Sequence, residues 1–180
     1  TLRELEVINR LLGGDRVTID GIDQLVKNEK EVSIADFGCG GGDLAKKIAR
    51  QFRNLKVTIE GIDANPHIID FARKNCSAFN NISFKVMDVF ENETQYDITT
   101  ATLFVHHFTD EQLVVLFKSM KEHSRLGVVI NDIHRHPFSY HSIKWLTSLF
   151  SRSAMVKFDA PLSAIPVKFH ANVPKLVVTL

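Results

Sequence analysis

One stretch constrains this chain more than any other: an apolar run that ends in an acid and breaks into glycine. Val32-Ser33-Ile34-Ala35-Asp36-Phe37 reads as a buried strand, Gly38-Cys39-Gly40-Gly41-Gly42 as a tight turn, and Asp43-Leu44-Ala45-Lys46-Lys47-Ile48-Ala49 as the start of a helix. The glycines let the backbone bend sharply and let a ligand approach its N–H groups closely. The helix start adds a partial positive charge there. Lys56-Val57-Thr58-Ile59-Glu60-Gly61-Ile62 is a second strand ending in Asp63, so residues 32–63 read as a βαβ unit.

The glycine spacing bears on the ligand. A dinucleotide turn wants G-x-G-x-x-G. Gly38 and Gly40 fit its first two positions, but the third falls on Asp43, whose carboxylate would face a pyrophosphate. The pattern present is Asp36-x-Gly38-x-Gly40-x-Gly42, acid first and glycine at every second position.

The rest of the chain supplies what such a turn needs around it. Leu2, Leu5, Ile8, Leu11 and Leu12 share a helical face that Gly13-Gly14 stops, and Ile19, Ile22, Leu25 and Val26 suggest a second short helix. After Asp63 come a helix over Pro66–Asn75, a strand Ile82–Val86 followed by Asp88 and Val89, and a strand Tyr96–Val105 leading into His106-His107-Phe108. Thr109 is placed to cap a helix running through Met120, and Gly127–Asp132 is a fifth strand. Pro137–Arg152 has a broad apolar helical face that includes Phe138, Trp145 and Phe150; Ser153–Ala164 has no regular period; Pro166–Val173 and Lys175–Leu180 look like closing strands. In open α/β sheets ligands bind beyond the carboxyl ends of the strands. His106, His107, Asp132, His134 and His136 therefore fall where a substrate would lie, and a histidine there titrates in the range that suits a general base. Asp63 has two readings, a partner for ribose hydroxyls or an N-cap for the helix from Pro66. His134 and His136 alternate as metal ligands can, but no third ligand joins them, and no metal is expected.

Composition narrows the class. The 180 residues suit one domain with an adequate core, and a net charge of +1 spread evenly along the chain argues against nucleic acid as a partner. Two cysteines without metal or redox spacing fit a reducing setting, and neither a membrane-spanning run nor a signal peptide is apparent, so the expectation is a cytoplasmic protein with no membrane partner.

The glycine motif, Asp63, Asp88, the His-His-Phe segment and the fifth strand together resemble the class I S-adenosylmethionine-dependent methyltransferases, small-molecule type, over about residues 32–134. The resemblance implies a doubly wound, mostly parallel seven-stranded α/β sheet in a single domain, residues 1–180, with a helical N-terminal cap at 1–30, a cofactor-binding core at 32–134 and a lid or crossover at 137–164. It implies S-adenosylmethionine as cofactor, held by Asp36, Gly38, Cys39, Gly40, Asp63, Ala64, Asp88, Val89 and Phe104. Asp63 would take the ribose diol, Asp88 the adenine amino group and the Val89 N–H a ring nitrogen. The implied reaction is in-line methyl transfer to a small-molecule nucleophile, with His106 and His107 as catalytic candidates. The family also places a helix between strands five and six. Pro137–Arg152 can serve, yet a loop-like 159–163 runs straight into strand-like 165–167, and the pattern favours a segment missing near 161–167. Two other functions stay open on the sequence: an NAD-dependent oxidoreductase, disfavoured by Asp43, and a non-catalytic domain that binds the cofactor or a partner.

Overall fold

The computed structural model describes residues 14–132 and the backbone of residues 177–179. In chain order these form α1 (Gly14–Leu25), β1 (Glu31–Phe37), α2 (Asp43–Gln51), β2 (Lys56–Asp63), α3 (Pro66–Asn75), β3 (Ile82–Val86), β4 (Tyr96–Thr102), α4 (Asp110–Glu122), β5 (Ser124–Asn131) and β6 (Val177–Thr179). Single 3₁₀ turns at Val89–Glu91 and Val105–His107 follow β3 and β4.

The sheet order is β3-β2-β1-β4-β5-β6. Strands β1 to β5 are parallel, and β6 joins β5 antiparallel. The order reverses between β1 and β4, which makes the crevice beyond their carboxyl ends the switch point of a doubly wound sheet. The doubly wound, mostly parallel architecture expected from the sequence is present, with six strands among the described residues. The expected Leu2–Leu12 helix, the Pro137–Arg152 helix, the Pro166–Val173 strand, the 161–167 segment, His134 and His136 lie outside those residues.

Alternation along the strands divides the core into two layers. Val32, Ile34, Val57 and Ile59 meet Leu44, Ala45 and Ile48 of α2 and Ile22 of α1 on one face. Ala35, Phe37, Ile62 and Ala101 meet Leu116 and Met120 of α4 on the other. Thr109 and Gln112 close a reciprocal capping box at the start of α4. No helix among the described residues is long and apolar enough to cross a membrane.

Three boundaries depart from the sequence reading. Gly14, expected as a helix stop, is the first residue of α1. Strand β4 stops at Thr102, not Val105, because Leu103 adopts φ 53, the left-handed region. Strand β5 begins at Ser124, ahead of Gly127.

Helix α1 packs into the core and also touches the carboxyl edge of the sheet. Ile22 and the following Val26 are buried in the core. The first turns of α1 reach the carboxyl edge, where Thr18 Oγ1 pairs with Thr102 Oγ1 at 2.8 Å and accepts from Asn131 Nδ2 at 3.2 Å. Asp15 forms an ion pair with Lys47 of α2.

Candidate functional site

The turn after β1 is built to be open on one side and braced on the other. Gly38, Gly40 and Gly42 have φ of 70, 52 and 78, a region costly for residues with a Cβ. The Gly38 and Cys39 N–H groups donate to the Ile62 carbonyl at 2.8 and 3.1 Å, tying the turn to β2. Asn75, the last residue of α3, donates through Nδ2 to the Gly41 carbonyl at 2.8 Å and to Asp43 Oδ1 at 3.0 Å. Lys46 Nζ donates to Asn75 Oδ1 at 2.9 Å and pairs with Asp43 at 2.6 Å. A Cβ on Gly42 would lie 2.8 Å from Cys76 Sγ and from the Phe84 ring, and one on Gly38 would lie 2.1 Å from the Phe104 ring. At Gly40 a Cβ would meet nothing within 4 Å. Gly40 is thus the member of the turn with space in front of it.

Carboxylates surround the turn. Asp36 is 2% exposed and accepts from Thr100 Oγ1 at 2.9 Å. Burial pushes its carboxyl up to about 7, and the nearby charges of Asp15 and Asp63 push the same way against the Thr100 hydrogen bond. Asp63 ends β2, half-buried, and its Oδ1 accepts the Asn65 N–H at 2.9 Å. The N-cap of α3 is Asn65, which accepts from the His67 N–H at 3.0 Å. Asp63 therefore braces the helix entry without being its cap, and the capping alternative falls to its neighbour. Ala64 is exposed in the same loop. Asp88 is exposed and caps the 3₁₀ turn through Phe90 N–H at 3.0 Å, while Val89 is buried.

The end of β4 carries the remaining candidates. Leu103 is the one non-glycine residue with positive φ among the described residues, a conformation costing about 1–2 kcal/mol. Its N–H donates to the Asn131 carbonyl at 2.8 Å, which anchors the kink to β5. The kink turns Phe104 back onto Gly38. Asp132 holds His106 with both oxygens: the backbone N–H donates to Oδ2 at 2.9 Å, and ring Nδ1 lies 2.8 Å from Oδ1. A carboxylate only accepts, so in this pair Nδ1 carries the proton. The imidazole is largely buried, its side chain 9% exposed. His107 is exposed, with its ring 4.1 Å from that of His106 between centroids.

Asp36, Gly38, Cys39, Gly40, Phe104, His106 and His107 all lie at the ends of β1 and β4, with Asp63 and Ala64 at the end of β2 and Asp88 and Val89 past β3. Thr100 on Asp36 and Asn75 bracing the turn carried no signal in the sequence; Asp132 was placed by sequence at the substrate edge, but not as the clamp on His106. Their partners lie 64, 34 and 26 residues away. A hollow of about 300 Å³ lined by Ser33, Thr58, Glu60 and Tyr96 lies toward the amino ends of the strands, away from this cluster.

A doubly wound sheet with an acid-led glycine turn at its switch point defines a class of nucleoside-binding α/β domains. The chain belongs to the methyltransferase-domain family, whose model matches residues 34–127. It is 31% identical over 90 residues to tabersonine 16-O-methyltransferase of Catharanthus roseus, covering 50% of this chain and 23% of that protein. It is 31% identical over 113 residues to pavine N-methyltransferase of Thalictrum flavum subsp. glaucum, covering 60% and 31%. The matched stretch is thus a quarter to a third of these relatives' length. The fold is shared with the plantazolicin methyltransferase BpumL, solved in complex with a pentazolic desmethylPZN analog and S-adenosylhomocysteine, at a TM-score of 0.61 and 23% identity over 87% of this chain and 56% of that one.

Proposed function

We propose that this chain is an S-adenosylmethionine-dependent methyltransferase acting on a small-molecule nucleophile. The observation that carries the reading is the glycine turn at the switch point, with open space at Gly40 and carboxylates at the ends of β1 and β2. That donor set fits a ligand with a ribose diol and two cationic groups. It fits a pyrophosphate poorly: the Asp43 carboxylate stands at the helix start, and Asp63 ends the adjacent strand with a second carboxylate. This supports the methyl donor over NAD.

When bound, the cofactor would supply an electrophilic methyl group that the acceptor attacks in line, with neutral S-adenosylhomocysteine as the leaving group. The Asp63 carboxylate takes the ribose hydroxyls, with the backbone of Cys39, Gly40 and Ala64 lining the approach. Asp88 and the Val89 N–H take the adenine edge. Asp36 supplies a buried carboxyl under the turn that becomes a negative charge as pH rises through about 7. His106 takes the acceptor's proton at Nε2 while Asp132 holds Nδ1–H, and exposed His107 lines the acceptor side. The named relatives include an O- and an N-methyltransferase, so a panel of phenols and amines is the appropriate acceptor screen, read by release of S-adenosylhomocysteine.

Two measurements test these roles. Asp63→Ala loses charge-assisted hydrogen bonds of about 1.5–3 kcal/mol each. Its affinity for S-adenosylhomocysteine should fall at least tenfold, about 1.4 kcal/mol; an unchanged dissociation constant in a folded variant would reduce Asp63 to a brace for Asn65. With a turned-over acceptor, His106→Asn should abolish the acidic limb of the pH–rate profile and leave cofactor affinity within about twofold. A profile identical to the parent's would rule out His106 as the base.

A further inference from the structure

The methyl donor and its demethylated product share the adenine, the ribose and the amino acid end. They differ in a methyl group and in the charge on sulfur. A site that tells the first from the second must do so at the sulfur. Phe104 is placed to make that distinction.

Strands β1 and β4 are parallel neighbours with Phe37 opposite Ala101, so the residues after each emerge side by side at the carboxyl edge. A straight continuation of β4 would carry Phe104 away from the turn. The left-handed Leu103, pinned to β5 through Asn131, instead lays the ring against Gly38. The place a Gly38 Cβ would take is 2.1 Å from Phe104 Cδ2 and 2.3 Å from Cγ, so the contact exists only because residue 38 has no side chain. Phe108 fixes the ring with an edge contact at 5.0 Å and 81° between planes, and Phe108 is held in turn by Phe90 at 5.3 Å and 88°. His107 adds a further edge contact at 6.5 Å. The ring is half-buried and adjoins the turn that begins two residues after Asp36, whose carboxyl feels the charges of Asp15 and Asp63. An aromatic face carries a negative quadrupole that attracts a cation, and a neutral thioether gains no such attraction.

We propose that Phe104 is a specificity-determining residue whose ring reads the positive charge of the ligand's sulfonium, favouring the methyl donor over the demethylated product. The inference rests on the cofactor reading above. Titration calorimetry with S-adenosylmethionine and with S-adenosylhomocysteine tests it. Phe104→Leu should weaken the donor about fivefold to tenfold and the product less than about twofold, whereas Phe104→Tyr should keep the parent's ratio. Pentafluorophenylalanine at position 104 keeps ring shape and packing while reversing the quadrupole, and should give the same selective loss if the leucine variant does not fold. Donor and product weakened by equal factors, or neither weakened, would overturn the proposal and leave Phe104 as packing. Parent protein that binds neither ligand would instead overturn the cofactor reading.

Discussion

Asp36→Asn should make this protein more stable at pH 8 and a poorer binder of its cofactor. The Asp36 carboxyl titrates at about 7 in the fold, against 3.8 when exposed, because burial disfavours its charged form. Between those values the folded chain holds a proton that the unfolded chain has released. Stability therefore falls as pH rises from about 4 to about 7 and levels off above. Asparagine keeps the hydrogen-bonding shape beside Thr100 and never ionises. The variant should gain about 2–4 kcal/mol over the parent at pH 8, little at pH 4, and lose this part of the pH slope. Denaturant unfolding at several pH values measures it. A variant less stable than the parent at pH 8 would mean that the ionised Asp36 is satisfied in the fold. The accompanying loss of cofactor affinity would make Asp36 a residue kept for function at a cost in stability.

The glycine turn yields a second large effect, with a contrast inside it. Gly38→Ala puts a Cβ 2.1 Å from the Phe104 ring at a backbone φ of 70. A left-handed alanine costs about 1–2 kcal/mol and the forced ring displacement about 1–3 more, a sizeable share of a typical domain's stability. Gly40→Ala meets no neighbour within 4 Å, so it carries the backbone cost alone, about 1–2 kcal/mol. On the proposed function its Cβ would enter the space that the cofactor takes. The expected pattern is a large stability loss for position 38, and a small one with a strong loss of binding for position 40. Equal stability losses, or a Gly40→Ala variant that binds like the parent, would contradict the assignment of Gly40 as the open side.

The local signals in the sequence were strong where the fold is local. The strand-turn-helix at 31–51 and the helix from Pro66 are written in apolar period, glycine and a proline at the first helical turn. The signals failed where a distant partner decides the conformation. Leu103-Phe104-Val105 is an apolar run that reads as more strand, yet Asn131 and the packing of Phe104 on Gly38 hold Leu103 in a left-handed turn. Gly14 reads as a helix stop because glycine is a poor helix former, yet α1 begins there and reaches both the core and the carboxyl edge. The histidines after β4 stood out by position. That Asp132 orients one of them emerged only from the pairing of β4 with β5, which brings Thr102 opposite Asn131. The Asp63 carboxylate was ambiguous on sequence because its neighbour Asn65 is also a capping residue, and the structure gives the cap to Asn65.

On the proposed function the turn after β1 takes a sulfonium nucleoside and not a dinucleotide. Titration calorimetry of the parent chain with S-adenosylmethionine, S-adenosylhomocysteine and NAD tests it most directly. Saturable heat is expected with the first two and none with NAD under the same conditions. Clear binding of NAD with no heat from either sulfur compound would contradict it.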